Sequence, residues 1–438
     1  MSKFSENLFS TKTVSVWGIG YLGYTTILRL QSKGFFVNCL TFDKDVQKDI
    51  EEDKYPYEYM KQTWSLNNDV PKIDLAKTFF CNDYKKMFNV NVHIIALPAF
   101  RGESNQPEAY KKLVDIFLKH IENLSGAIVI FQAAEKVGTV DSYFIKPLKK
   151  AGAKCYFASA FRSDWNVEEF LLGNNSRIIA ANDKESLEVV SEFFDILNVN
   201  FNTLSGIEEA EVYENAKNCL KYSAEAFFTQ LSFAYPSINV NEVSAMIVKN
   251  LDLATKRSGL NLLNYKHMLH IDHVLAGQSG DYLSIIKETQ SVNMTTVILY
   301  ADILKQKKIS SITILGLSVE GARKDIRASA AVLLAEYLHN IGIKVFVHDP
   351  YFSQNEISEI LPFVQVSNLQ NKSEFTDSYI VMGSNPVYNY YSQKDINTNG
   401  IFNAKIIIDG VGVLKHLSFS PKTLYHEVGD GRLKALLK

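Results

Sequence analysis

Short, wholly apolar runs alternate with stretches whose apolar positions recur every three or four residues. VSVW, FFVNCL, VNVHIIALP (90–98), GAIVIF (126–131) and SRIIAA (176–181) read as strands buried on both faces. AYKKLVDIFLKHIENL (109–124) reads as an amphipathic helix between them, and Asn67 to Asp69 with Pro71 marks a connecting loop. Apolar strands joined by charged amphipathic crossovers predict a parallel sheet with helices on both faces, closed by SRIIAA. The rhythm changes at Gly206. From there to Ala234 no proline and no further glycine interrupts Val212, Ala216, Leu220, Ala224, Phe227, Phe228 and Leu231. This predicts one long helix broken at Tyr235-Pro236, followed by helices at 241–254, 280–288 and 292–305. An α/β rhythm then returns, with strands at 311–317, 344–350, 378–383 and 404–410 and a helix at 327–342.

The expected architecture is α/β in three parts. They are a Rossmann-type dinucleotide domain (1–205), a central helical domain with a long connecting helix (206–305), and a second, Rossmann-like α/β domain (306–438). That helix is a candidate spine and dimer contact, or an ordinary core helix; periodicity does not separate the two.

Chemistry enters with Val14–Asp43. The strand VSVW leads into Gly18-Ile19-Gly20-Tyr21-Leu22-Gly23, then a helical pattern, a second strand and an acid at Asp43. This is the layout of a dinucleotide-binding βαβ unit. Gly18 allows the turn, Gly20 lets the backbone approach a pyrophosphate, and Gly23 lets the helix pack on the sheet. The pyrophosphate then lies over the free N–H groups of the helix start.

Composition adds exclusions. The 438 residues are 46% hydrophobic and carry 46 basic against 48 acidic residues, with no basic block. Nucleic acid is therefore not an implied partner, and no apolar run reaches membrane-span length. The start, MSKFSENLFSTK, has no signal-peptide core and is expected to be a short lead-in. Cys39, Cys81, Cys155 and Cys219 form no CxxC pair and read as buried thiols in a reducing cytoplasm, with no metal site.

Three blocks, GIGYLG (18–23), AEVYENAKNC (210–219) and LGLSVEGARKDIRAS (315–329), with Asp349-Pro350 and Asp409-Gly410, stand in order along the chain. Together they resemble the UDP-glucose/GDP-mannose/UDP-N-acetylmannosamine 6-dehydrogenase family. The resemblance implies NAD, a nucleotide-sugar substrate, a homodimer through the central helix, and a place in polysaccharide or sugar-nucleotide biosynthesis. Such enzymes oxidise C6 of the sugar to a carboxylate with two NAD molecules, through a cysteine thiohemiacetal. An unhydrated aldehyde has no hydride to give until a nucleophile adds.

Several family positions differ here. In the stretch from Leu275 through Gly277 to Leu283, Ser279 aligns with the cysteine, with Asp281 and His273 as candidate bases. The family lysine of the central helix aligns with Glu214, while Asn218 is retained. In the C-terminal signature Glu320 aligns with a lysine; Arg323, Lys324 and Arg327 remain candidate phosphate ligands, and Val411 aligns with a late arginine. On the cofactor side the ribose-binding acid aligns with Thr41. Asp43 lies two residues on, and Lys44 leaves NADP open beside NAD. Pro98 ends its strand, Ala99 replaces a threonine, and Ala133-Ala134 replace a serine–threonine pair.

Three readings follow. The first is an NAD-dependent nucleotide-sugar oxidoreductase of altered chemistry, using Asn218, Ser279, Asp281 and His273. The second is a standard uronate-forming 6-dehydrogenase, and the third is a non-catalytic homologue that binds a nucleotide or nucleotide sugar.

Overall fold

The computed structural model describes residues 11–42, 44–54, 71–81, 83–97, 107–162, 176–250, 283–318, 326, 329–383 and 385–438. The chain divides into two compact units, Met1–Ala216 and Lys217–Lys438.

The first unit is built on an eight-stranded sheet. Its strands are β1 (Thr13–Trp17), β2 (Phe36–Leu40), β3 (Thr78–Phe80), β4 (Val92–Ile95), β5 (Ile128–Phe131), β6 (Tyr156–Ser159), β7 (Arg177–Ala181) and β8 (Phe201–Leu204). The spatial order is β3-β2-β1-β4-β5-β6-β7-β8. Order reverses between β1 and β4, which makes the crevice at their carboxyl ends the ligand position of an open α/β sheet. Within β5, Ile128 and Ile130 enter one core with Val14, Val16 and Ile94. Val129 and Phe131 enter the opposite core with Trp17 and Ile95. Burial on both faces is why these strands read as unbroken apolar runs.

Two features depart from the sequence expectation. SRIIAA does not close the sheet, because β8 follows it as an edge strand. The β6–β7 pairing is antiparallel, held by Ala158↔Ala181 and Ser159↔Ala180, while every other pairing is parallel. One row of partners, Phe131↔Ser159, Ser159↔Ala180 and Ala180↔Leu204, runs from β5 to β8. The end of β8 thus lies level with the carboxyl end of β5.

The helices that bear on the site are α1 (Tyr21–Ser32), α2 (Glu108–Lys119), α3 (Lys184–Ile196) and α4 (Ile207–Ala234). As the apolar spacing predicts, α4 is one uninterrupted helix that ends before Tyr235-Pro236. It begins in the first unit and ends in the second. The segments expected as helices 280–288 and 292–305 are instead a single helix, α5 (Ser284–Gln306). No proline or glycine interrupts it, and Thr289 turns its hydroxyl back to the Ile285 carbonyl at 2.8 Å rather than breaking the helix.

The second unit carries a parallel six-stranded sheet. Its strands are β9 (Ser311–Leu315), β10 (Lys344–His348), β11 (Gln365–Val366), β12 (Ser378–Val381), β13 (Ile406–Asp409) and β14 (Leu424–Glu427), in the order β11-β10-β9-β12-β13-β14. Order reverses between β9 and β12. Helix α6 (Ala330–Asn340) follows β9 and packs its Ala331, Leu334 and Leu338 into the core with Ile312 and Ile314.

Candidate functional site

The glycine turn after β1 has the geometry its spacing implies. Gly18 holds φ at +98°, and a Cβ there would lie 2.5 Å from the Leu97 side chain. A Cβ on Gly23 would stand 1.9 Å from the Gly18 carbonyl oxygen, so this helix-to-turn contact admits only hydrogen. A Cβ on Gly20 would meet nothing within 4 Å. The backbone therefore faces open space where a ligand would approach, and α1 starts there with no side-chain cap on its first N–H groups. Uncapped N–H groups at a helix start suit an anion such as a pyrophosphate. Tyr21 and Leu22 open α1; Thr41 is half-buried beyond β2. The fit to a dinucleotide rests on this turn. Asp43, Pro98 and Ala99 lie outside the described residues.

The opposite flank of the crevice is the loop leaving β5. Gln132 is buried and accepts from the Thr26 hydroxyl at 2.8 Å, which ties the loop to α1. Arg162 is also buried and donates to the Leu22 carbonyl and to the Thr25 and Thr26 hydroxyls at 3.1, 2.6 and 3.2 Å. Ala134 is half-buried in this loop. Beyond it, Glu211 on α4 is fully buried; its two carboxyl oxygens accept from the N–H groups of Gly138 and Val140 at 2.6 and 3.1 Å. Burial pushes the Glu211 carboxyl up to about 7, with Glu208 and Asp141 adding to the rise against the pull of the two backbone donors. One turn on, Asn215 Nδ2 donates to the carbonyls of Glu135 and Glu211, both at 2.8 Å. Glu214 is buried beside it, and Asn218 is half-buried a turn further along.

Sequence reasoning chose Asn218 and passed over Glu211, Asn215, Gln132 and Arg162 as site formers. Their partners lie 71 to 140 residues away in the chain, apart from the local bond of Asn215 to the Glu211 carbonyl. No local pattern reports such contacts. The motif match at Ala210-Glu211 was the one available signal.

In the second unit, Gly316 holds φ at +93°, and a Cβ on it would lie 3.0 Å from the Gly383 nitrogen. The two loops leaving β9 and β12 are thus pressed together at the switch point. Asp349, at the end of β10, is buried and turned onto protein backbone, accepting from Leu317, Ser318 and Tyr351 N–H at 2.8, 3.4 and 2.9 Å. In a dinucleotide fold an acid at this place reaches a ribose; here its oxygens hold the loop. Asp409 ends β13 and accepts from the N–H groups of Val411, Gly412, Val413 and Leu414 and from the Tyr425 hydroxyl. Burial raises its pKa despite those bonds. Gly277, Ser279, Asp281, His273, Arg323, Lys324 and Arg327 lie outside the described residues.

None of the four cysteines is paired. Burial raises all four thiols, Cys219 to about 11 and Cys155 to about 12, with Cys39 and Cys81 also above the ordinary range. No group of acidic, histidine and cysteine side chains suits a metal ion among the described residues.

Residues 313–416 match the UDP binding domain of the UDP-glucose/GDP-mannose dehydrogenase family. Over 454 residues, 99% of this chain and 100% of the relative, the sequence is 22% identical to the UDP-N-acetyl-D-mannosamine dehydrogenase of Methanocaldococcus jannaschii. By sequence, this chain is similar along nearly its whole length to a UDP-N-acetyl-D-mannosamine dehydrogenase. The same relation extends to the UDP-glucose 6-dehydrogenase of Rickettsia bellii, at 23% identity over 77% of this chain and 81% of that protein. The fold agrees. The UDP-glucose dehydrogenase of Pyrobaculum islandicum matches with a TM-score of 0.77 at 16% identity, covering 95% of this chain and 97% of that one. The UDP-D-ManNAc dehydrogenase of Pyrococcus horikoshii matches with a TM-score of 0.75 at 18% identity, covering 96% and 100%. Among the described residues no helix is long and apolar enough to cross a membrane.

Proposed function

We propose that this protein is an NAD-dependent nucleotide-sugar dehydrogenase. One observation carries the reading: a single chain joins a glycine turn open at Gly20 to a segment that matches a UDP binding domain. NAD, when bound, supplies the hydride acceptor. The chain's share is to hold the pyrophosphate on the N–H groups at the start of α1, to fix the loop after β5, and to take the proton that leaves the sugar hydroxyl. Asp281 and His273 are the candidates for that proton, with Ser279 at the cysteine position and Asn218 orienting a water or a sugar oxygen. The phosphates of the sugar nucleotide fall to Gly277, Arg323, Lys324 and Arg327. NADP stays a second cofactor because Thr41, not an acid, aligns with the ribose-binding position.

The full-length relatives favour oxidation of the sugar alcohol to a uronate. A second reading, a single hydride step that stops at a carbonyl, is favoured by the thiols. Every cysteine in the chain is raised away from the thiolate, so none is poised to add to an aldehyde. A uronate-forming route then needs water or the Ser279 hydroxyl as the adding nucleophile. Stoichiometry separates the readings, with a panel of UDP- and GDP-sugars as substrates. Two NADH per sugar and a carboxylate product are expected for uronate formation. One NADH and a carbonyl product establish the single step. Nucleotide binding without turnover leaves the non-catalytic homologue.

The partner reading is a homodimer through α4. Tyr213, Leu220 and Phe227 stand seven residues apart on that helix and are 39%, 66% and 53% exposed, which makes an apolar stripe. The process proposed is polysaccharide or sugar-nucleotide biosynthesis in the cytoplasm.

A further inference from the structure

The two halves of the dinucleotide crevice are held by different parts of the chain. The turn Gly18–Gly23 serves the half over β1 and β2, where a dinucleotide places its adenosine. The other half lies over β4 and β5, and its wall is the loop Gln132–Gly138. That loop is tied at its start by Gln132 to Thr26. Its far end is tied to α4: the Glu211 carboxyl accepts from the Gly138 and Val140 N–H groups, and Asn215 Nδ2 donates to the Glu135 carbonyl. The register explains why α4 is within reach. The row from Phe131 to Leu204 sets the end of β8, three residues before α4, level with the end of β5.

The bond to Glu211 is a strong one by type. A carboxyl group meets two backbone donors at the start of a helical segment, where the macrodipole favours an acceptor. The segment it caps makes one regular backbone bond, Ser142 N–H to the Gly138 carbonyl at 3.0 Å, and passes into a π-turn, Asp141–Ile145. Asn215 is buried too, and its Oδ1 has no hydrogen-bond partner, so the side chain is held by the two carbonyls it donates to.

We propose that Glu211 is a positioning residue for the reaction half of the dinucleotide: through Gly138 and Val140 it sets the wall against which the nicotinamide lies, while touching no part of the cofactor itself. The proposal rests on the dinucleotide reading of the first unit and deepens it. Glu211→Gln keeps the size but offers one acceptor and one donor to the two N–H groups, so one of the two bonds is lost.

The test compares two probes on the whole chain. ADP-ribose keeps the adenosine, the pyrophosphate and the second ribose and lacks only the nicotinamide; NADH carries the nicotinamide as well and reports its environment by fluorescence. In the wild type NADH should bind more tightly than ADP-ribose. In Glu211→Gln the ADP-ribose affinity should stay within about twofold, while NADH weakens roughly tenfold, about the size of one lost hydrogen bond, and its nicotinamide emission moves toward that of free NADH. An unchanged NADH-to-ADP-ribose ratio in a folded variant overturns the proposal, as does an equal loss for both probes. Failure of the wild type to bind either probe overturns the dinucleotide reading instead. Should Glu211→Gln not fold, Asn215→Ser removes the neighbouring tie to Glu135 and is read by the same ratio.

Discussion

At Gly20 and Gly23 two glycines of one turn have different duties. Gly23 is required by the fold, because a Cβ would overlap the Gly18 carbonyl. Gly20 is not, because a Cβ there meets no protein atom within 4 Å. Gly20→Ala should therefore leave the thermal midpoint nearly unchanged while weakening NADH by at least about tenfold through contact with the pyrophosphate. Gly23→Ala should lower the midpoint as well, by several degrees for a loss of a few kcal/mol. Calorimetry beside an NADH titration distinguishes the two. A Gly20→Ala protein that binds NADH normally would remove the pyrophosphate from this turn. The spacing of the glycines was legible in the sequence; which of them serves the fold and which the ligand was not, because that depends on Gly18 and Leu97 lying where they do.

The bond between α4 and the segment starting at Gly138 is an element-scale contact with a pH signature. The folded state holds the Glu211 carboxyl near 7, above its value of 4.5 in the unfolded chain, because burial disfavours the charge. The folded state thus binds the proton more tightly. Its contribution is fully present below about 4.5 and is lost as pH rises through 7, with Glu208 and Asp141 as the neighbouring charges. The upper limit is about 3 kcal/mol. Denaturant midpoints between pH 5 and 8 should fall in the wild type more steeply than in Glu211→Gln. Parallel slopes would place the titrating group elsewhere. The strands of the two cores were readable because both faces are apolar. The edge strands β8 and β14 were not, since FNTL and LYHE mix polar and apolar residues and take their place from pairing. The break expected between 288 and 292 failed because a polar Thr-Gln-Ser stretch costs a helix little when Thr289 can bond back to Ile285.

Over the whole molecule, the first six strands of the first sheet and the six strands of the second share one spatial order. The first leaves its glycine turn open, whereas the second spends Asp349 on its own loop. The apolar stripe on α4 carries a prediction at this scale. Leu220→Glu together with Phe227→Glu should convert a dimer to a monomer in sedimentation analysis, since a dimer would bury both carboxylates at a cost of several kcal/mol. An unchanged sedimentation coefficient would move the interface off this stripe.

The antiparallel seam between β6 and β7 has a consequence for how the molecule breathes. It joins the strands through two residue pairs, while the β7–β8 ladder beyond it is registered over four. Helix α3 spans the connection, with Val190 and Phe193 buried in the core shared with Ile128 and Ile130. The pair β7–β8 is joined to the rest of the sheet by fewer residue pairs than hold it together, so it can open ahead of β1 to β5. Its amides should exchange with solvent together and ahead of those of β4 and β5. Because α4 springs from the end of β8, each such opening slackens the wall of the crevice, and a bound dinucleotide would slow exchange in strands it does not touch.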